Sequence, residues 1–460
     1  MRGRDRQKIR RMKGMIITGS RGGLLWRVIG YINVCLVLAS CQSVGITPTG
    51  TATAQMTATS SPIPTPTKII ATPMPTPTKL PDVEGEVSMW LDWTSQELMV
   101  LNSHLEAFQE RFPGITLSVS YYPPDELLDR YKAAASEGRE PTILIGPVAW
   151  ADQLIQEGFA RDIHVRMTED LLGSFQPVAL EGIAFSQSTF GLPLSMEGIL
   201  LYRNSGLIAE TPDTLDDLVN LTEEFDGEGL AGIQLDLGFL QTGAFLQACG
   251  GQLLNVEGEL SLTLSAGECW LNILQQFRLA GPVTFNTDED LLKFEAGQAA
   301  WLVDGSWNSE RIIQAIGEEN FSIDPWPVYS PTGMELKGYA WSHDIFFSSL
   351  AEEQDFNAAW ILARYLLTPE VQEDFALSTF GKRVPVLKSV PTVEGWLQEL
   401  MTAMGMNVSL PRYPEFSIFS ENLELAAIDV ARRGYDPYFV IRWVQLNIEK
   451  DLKLEGAGGD

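Results

Sequence analysis

A two-lobed α/β protein is the fold class this sequence predicts, each lobe a mostly parallel sheet flanked by helices. Length is the first reason: about 380 residues follow position 82, more than one ordinary hydrophobic core supports. The second is rhythm, since strand-like and helix-like segments alternate from Glu86 onward, and parallel strands need such crossovers. The third is punctuation, as where Pro113-Gly114 stops the first helix before the next strand.

Val87-Ser88-Met89-Trp90-Leu91 reads as a strand, and Glu97 to Phe112 as an amphipathic helix stopped by Pro113-Gly114. Ile115 to Tyr121 is a second strand and Asp125 to Glu137 a second helix. Thr142 to Ile145 is a short buried strand, followed by a helix at Ala151 to Gly158. Trp270, Trp360, Trp396 and Trp443 lie beside Leu, Ile and Phe at helical spacing, which predicts core positions for all four.

Ahead of this lies a different kind of sequence. Nine basic residues, Arg2 through Arg27, precede an uncharged run from Val28 to Ala39 that ends Leu38-Ala39-Ser40-Cys41. The run covers 12 residues, whereas a helix crossing a bilayer takes about 20. It reads as a bacterial lipoprotein signal over residues 1–40, cleaved before Cys41, which would then be lipidated. An ordinary secretory signal with an incidental Cys41 is the alternative, and the start at Met1 or Met15 is open. Residues 41–83 then form a tether dominated by Thr, Pro, Ser, Ala and Gly, with Pro-Thr-Pro-Thr-Lys at both 64–68 and 75–79. Such composition cannot bury a core. As an extended spacer it would reach roughly 100 Å from a membrane.

The chain carries 32 basic and 60 acidic residues; loss of the first 40, with nine basic and one acidic, leaves 23 against 59, a charge of −36. Nucleic acid is a poor partner for such a surface. Outside the signal and Cys41 only Cys249 and Cys269 remain, which pair or stay as two buried thiols. The three histidines, His104, His164 and His343, are far apart in sequence, and no motif supplies a metal site or a cofactor.

Five motifs in order resemble the extracellular solute-binding family that includes the maltose-binding protein. They are Leu105-Glu106-Ala107-Phe108-Gln109-Glu110-Arg111-Phe112-Pro113-Gly114-Ile115; Phe190-Gly191-Leu192-Pro193-Leu194-Ser195-Met196-Glu197 with Leu201-Tyr202-Arg203-Asn204; Phe294-Glu295-Ala296-Gly297-Gln298-Ala299-Ala300 running to Asp304-Gly305-Ser306-Trp307; Thr368-Pro369-Glu370-Val371-Gln372 with Phe375; and Lys382-Arg383-Val384-Pro385-Val386. The likeness spans residues 84–452. It implies a ligand cleft between lobes, closing about hinges near 193–196, 339–344 and 384–387. Chain order then gives lobe 1 as 84–193 and 344–385, and lobe 2 as 195–342 and 387–455.

A sugar offers C–H faces to aromatic rings and hydroxyls to carboxylates, amides and Arg. Trp93 and Trp150 follow strands, where open α/β sheets bind ligands, though either suits a core equally well. The resemblance implies a sugar-stacking role for Trp307 and an acidic ligand-facing role for Glu197. Asp304, Tyr339, Trp341 and Asp344 flank the same region. Bulky aromatics at Gly338-Tyr339-Ala340-Trp341 replace the glycine pair of many relatives and would narrow the cleft. Arg383, at the third crossing, reads as an interlobe salt-bridge residue or a ligand contact.

Taken together, the resemblance implies a monomeric, membrane-tethered protein that captures a carbohydrate and delivers it to the permease of an ATP-driven importer. It would act outside the cytoplasm and catalyse nothing. A ligand sensor coupled to a membrane signalling protein shares every one of these features, and a secreted glycoside-acting enzyme is the third reading.

Overall fold

One long mixed sheet organises the polypeptide in the computed structural model, which describes residues 83–456 apart from 186–187, 224–229, 254–260, 380–381, 392–394 and 412–415. The signal-like segment, Cys41 and nearly all of the Thr/Pro tract therefore lie outside the described residues. Among the described residues no helix is long and apolar enough to cross a membrane.

The first α/β units follow the sequence closely. Strand β1 (Gly85–Leu91) leads into helix α1 (Ser95–Arg111), then β2 (Ile115–Tyr121), α2 (Pro124–Ser136) and β3 (Ile143–Pro147). Helix α1 begins where Thr94 and Glu97 form a capping box: Thr94 accepts from the Glu97 amide, and the Glu97 carboxylate accepts from the Thr94 amide at 2.7 Å. β1 pairs in parallel with both β2 and β3.

The long strand β4 (Gly191–Asn204) then carries the chain across to a second parallel group. That group holds β5 (Ala231–Asp236), helix α3 (Leu264–Ala280), β6 (Val283–Thr284), β7 (Ala299–Gly305) and helix α4 (Ser309–Ile316). β5 runs parallel to β6 and β7, while β7 pairs antiparallel with β4. The return strand is β9 (Tyr339–Phe347), preceded by β8 (Phe321–Asp324), which flanks β4. Helices α5 (Glu353–Leu366) and α6 (Pro369–Ser378) pack back beside β1 and α1 before the short strand β10 (Val384–Pro385). The order is β2-β1-β3-β9-β4-β7-β5-β6, with β8 and β10 also on β4.

Two large apolar clusters fill this frame. One gathers Met89, Leu91, Trp93, Phe108, Ile145, Phe347 and Phe375, and continues to Leu200, Tyr202 and Leu302 on one face of the second group. The other packs Ile233, Leu235, Phe245, Trp270, Phe277 and Trp301 with Ile441 and Val444 of the last helix, α7 (Pro437–Gly456). Cys249 and Cys269 form a disulfide at that core, with Cα atoms 5.8 Å apart. Closing a loop of this size restricts the unfolded chain by about 3 kcal/mol.

The four tryptophans expected in the core divide. Trp270 is fully buried and donates to the Thr242 carbonyl at 2.9 Å. Trp360 and Trp396 are half-buried against the first cluster. Trp443 is the correction, at 53% exposed. Helix α7 is apolar on two faces: Val440, Ile441, Val444 and Ile448 turn inward, while Phe439, Trp443 and Leu446 face solvent. Periodicity alone cannot choose between two apolar stripes.

Candidate ligand-binding site

The three segments expected to cross between lobes lie side by side. β4 pairs antiparallel with β9 through Trp341↔Glu197 and His343↔Ser195, and with β10 through Val384↔Met196 and Pro385↔Ser195. Side chains alternate along strands, so Glu197, Ser195, Trp341 and His343 share one face, and Met196 and Ser342 the other. Extending the β10 register by one residue sets Arg383 opposite Glu197, giving a row of Arg383, Glu197 and Trp341 across three strands.

Charges converge on this face. Arg383 Nη1 stands 3.5 Å from Glu197 Oε1, and His343 Nε2 stands 3.4 Å from Glu197 Oε2. On its other side Arg383 donates from Nε to Glu97 Oε1 at 2.6 Å. The Glu97 carboxylate thus caps α1 through one oxygen and holds Arg383 through the other. The guanidinium also lies over the Trp93 ring, 4.8 Å from its centre. Asp92, beside Trp93 in the loop after β1, is within electrostatic reach of His343, Arg383 and Glu197.

Burial governs the protonation of these acids, and their neighbours decide the outcome. Desolvation raises the Glu97 pKa, yet Arg383 and the Thr94 hydrogen bonds more than offset it and leave it below the ordinary value. Glu197 behaves alike: burial pushes it up, and His343 and Arg383 bring it down further than that. At Asp92 burial wins, and its pKa stays raised. Several buried atoms of the array have no hydrogen-bond partner within the protein: Asp92 Oδ1, Trp93 Nε1, Ser195 Oγ, His343 Nδ1 and Arg383 Nη1. Unpaired buried donors and acceptors are costly, and those of Ser195, His343 and Arg383 stand beside Glu197 on its face of the ladder.

Aromatic surface adjoins the array. Trp307, in the turn between β7 and α4, and Trp341 on β9 are both half-buried, their ring centres 5.8 Å apart and inclined by 46°. Gly305 makes room for this, since a Cβ there would lie 2.2 Å from the Trp307 ring.

The remaining expected site residues fall elsewhere. Trp93 has no exposed surface; it sits edge-on to Phe375 in the first core, which is the core alternative rather than the ligand-facing one. Trp150 folds its ring back over Gly146, where a Cβ would meet it at 2.0 Å, and packs beside Tyr131, Leu144 and Phe346. Gly146 lies opposite Asp344 while Pro147 lies opposite His343, so that ring is on the far face of the crossing strands. Tyr339 is buried in the second core, 6.1 Å from Phe239. Asp304 is taken up locally, accepting from the Gly305 amide at 2.6 Å and from Asn308 Nδ2 at 2.9 Å, and burial pushes its pKa up to about 7.

Asp92, Glu97 and His343 were not singled out by sequence as site residues. A usable signal existed for His343: it stands two places from Trp341 on a crossing segment, and alternation puts both on one face. Among the described residues no group of three or more His, Cys, Asp or Glu is placed to hold a metal ion.

Residues 104–403 match the family model described as bacterial extracellular solute-binding protein. The chain belongs to that family. The maltotriose-binding protein of Pyrococcus abyssi is 26% identical over 316 residues, covering 66% of this chain and 67% of its own. The maltooligosaccharide ABC transporter solute-binding lipoprotein of Streptococcus pneumoniae is 21% identical over 252 residues, covering 50% and 57%. Among solved structures, the extracellular solute-binding protein of Staphylococcus aureus in complex with maltose aligns with a TM-score of 0.70 at 17% identity, covering 81% of this chain and 99% of that one. At that identity the agreement establishes the two-lobed fold. These relatives are binding proteins, not enzymes, and this solute-binding chain shares their class.

Proposed function

We propose that this solute-binding protein captures a sugar or oligosaccharide of the maltodextrin type between two lobes, 84–193 with 344–385 and 195–342 with 387–455. It then delivers the sugar to an ABC-importer permease. The observation that supports this most is the half-exposed Trp307–Trp341 pair directly beside the Glu197, Arg383 and His343 array. Rings take the C–H face of a pyranose, and the polar row takes its hydroxyls. Lipidation at Cys41 and the 41–83 tether would confine the binder near its permease while leaving slack to open, close and dock.

Isothermal titration with glucose, maltose and maltotriose, beside a panel of amino acids and peptides, tests the ligand class. A sugar should bind with micromolar or tighter affinity; binding confined to amino acids or peptides would overturn the reading. Cys41→Ser should move the protein from the membrane fraction to the soluble one, and an unchanged distribution would remove the lipid anchor.

A further inference from the structure

A buried Glu97–Arg383 ion pair ends the row of candidate ligand contacts, and we infer that the site accepts a ligand of one or two sugar rings rather than a long glucan chain. This inference rests on the sugar-binding reading and narrows it. A continuous strip of contacts runs from the second strand group toward the first. Trp307 meets Trp341, Trp341 faces Glu197 across the ladder, Glu197 meets Arg383 at 3.5 Å, and Arg383 covers Trp93. There the strip stops, because Arg383 is anchored by Glu97 at 2.6 Å, and both side chains are almost wholly buried.

Each further ring of a long oligosaccharide gains most where another aromatic face can take its C–H surface. Among the described residues, the three other aromatic side chains that sequence placed near the ligand are engaged elsewhere. Trp93 is held on one side by Phe375 and on the other by Arg383; Phe375 belongs to α6, packed on α1, so hinge opening leaves that packing intact. Trp150 lies on the far face, and Tyr339 is inside the second core. Trp307 and Trp341 touch each other and make one platform, not two in series. Beyond that platform come Glu197 with Ser195, His343 and Arg383; the unpartnered buried Ser195 Oγ, His343 Nδ1 and Arg383 Nη1 suit the hydroxyls of a terminal ring.

Calorimetric titration of the mature protein with glucose, maltose, maltotriose and maltotetraose reads this directly. Affinity should reach its plateau by maltose, with maltotriose and maltotetraose within threefold of it, and the heat capacity change of binding should plateau with it. Affinity that climbs tenfold or more from maltose to maltotetraose would overturn the inference while leaving the sugar reading intact. Silence across the whole series would overturn both. Arg383→Lys supplies a second arm: a shorter-reaching cation that cannot bridge Glu97 and Glu197 should open that end of the row and raise the ratio of maltotetraose to maltose affinity. An unchanged ratio in a variant that melts as the parent does would count against Arg383 as the stop.

Discussion

Trp93 and Trp307 occupy the same kind of place, each in the turn that joins a strand's C-terminal end to the next helix, yet they meet opposite fates. Trp93 is lost to solvent, edge-on to Phe375 and roofed by Arg383. Trp307 keeps surface, because the one ring beside it among the described residues is Trp341, itself half-buried. Both turns present a ring at the sheet edge where ligands bind. What separates them arrives from far along the chain: Arg383, which bonds Glu97 across 286 residues of sequence. One end of the candidate site is therefore polar and built on an ion pair, and the other is aromatic. A local pattern can place a ring at a strand end, but a distant partner decides whether that ring is core or site.

The largest expected effect breaks the buried member of the comparison. Trp93→Ala removes a fully enclosed ring and should cost about 4 kcal/mol of unfolding free energy in denaturant titration. A loss below about 1 kcal/mol would mean that Trp93 is not the core residue described here. Next comes the ion pair that roofs it. Glu97→Gln keeps the bonds to Thr94 but strands the Arg383 charge, and should cost about 3 kcal/mol. The same carboxylate sets an acid limb: its folded pKa lies below the ordinary 4.5, so its stabilisation is present above that value and lost as pH falls through the folded pKa. Glu97→Gln should flatten that limb of the stability profile.

At the aromatic end the sign reverses. Asp304, near the end of β7 and three residues before Trp307, has its pKa pushed up to about 7 from 3.8, so the folded protein holds the proton more tightly than the unfolded chain. Its contribution therefore falls as pH rises from about 4 to 7. Asp304→Asn should remove that decline, measured as thermal midpoints across the same range; an unaltered slope would show that Asp304 does not titrate there.

Much of the frame was legible in sequence. The strands and helices from 85 to 147 match to within a few residues because caps, Pro113-Gly114 and apolar alternation all agree locally. Motif order marks the segments about Glu197, Trp341 and Val384 as related, and strand pairing aligns them in one ladder. The site was legible only in part. Glu97 reads as an ordinary helix cap, and its second role appears only when Arg383 arrives. His343 looks isolated among three scattered histidines until β9 is laid against β4. Trp443 was misplaced because both faces of its helix are apolar.

The central claim is that the aromatic end holds the sugar, and Trp307→Ala tests it most directly when maltose titration and thermal melting are run on the same sample. Binding should weaken by about 1–3 kcal/mol, roughly 5- to 150-fold, while the melting temperature of the unliganded variant stays within about 2 °C of the parent. Unchanged affinity, or a melting temperature that collapses as Trp93→Ala should make it do, would contradict the account.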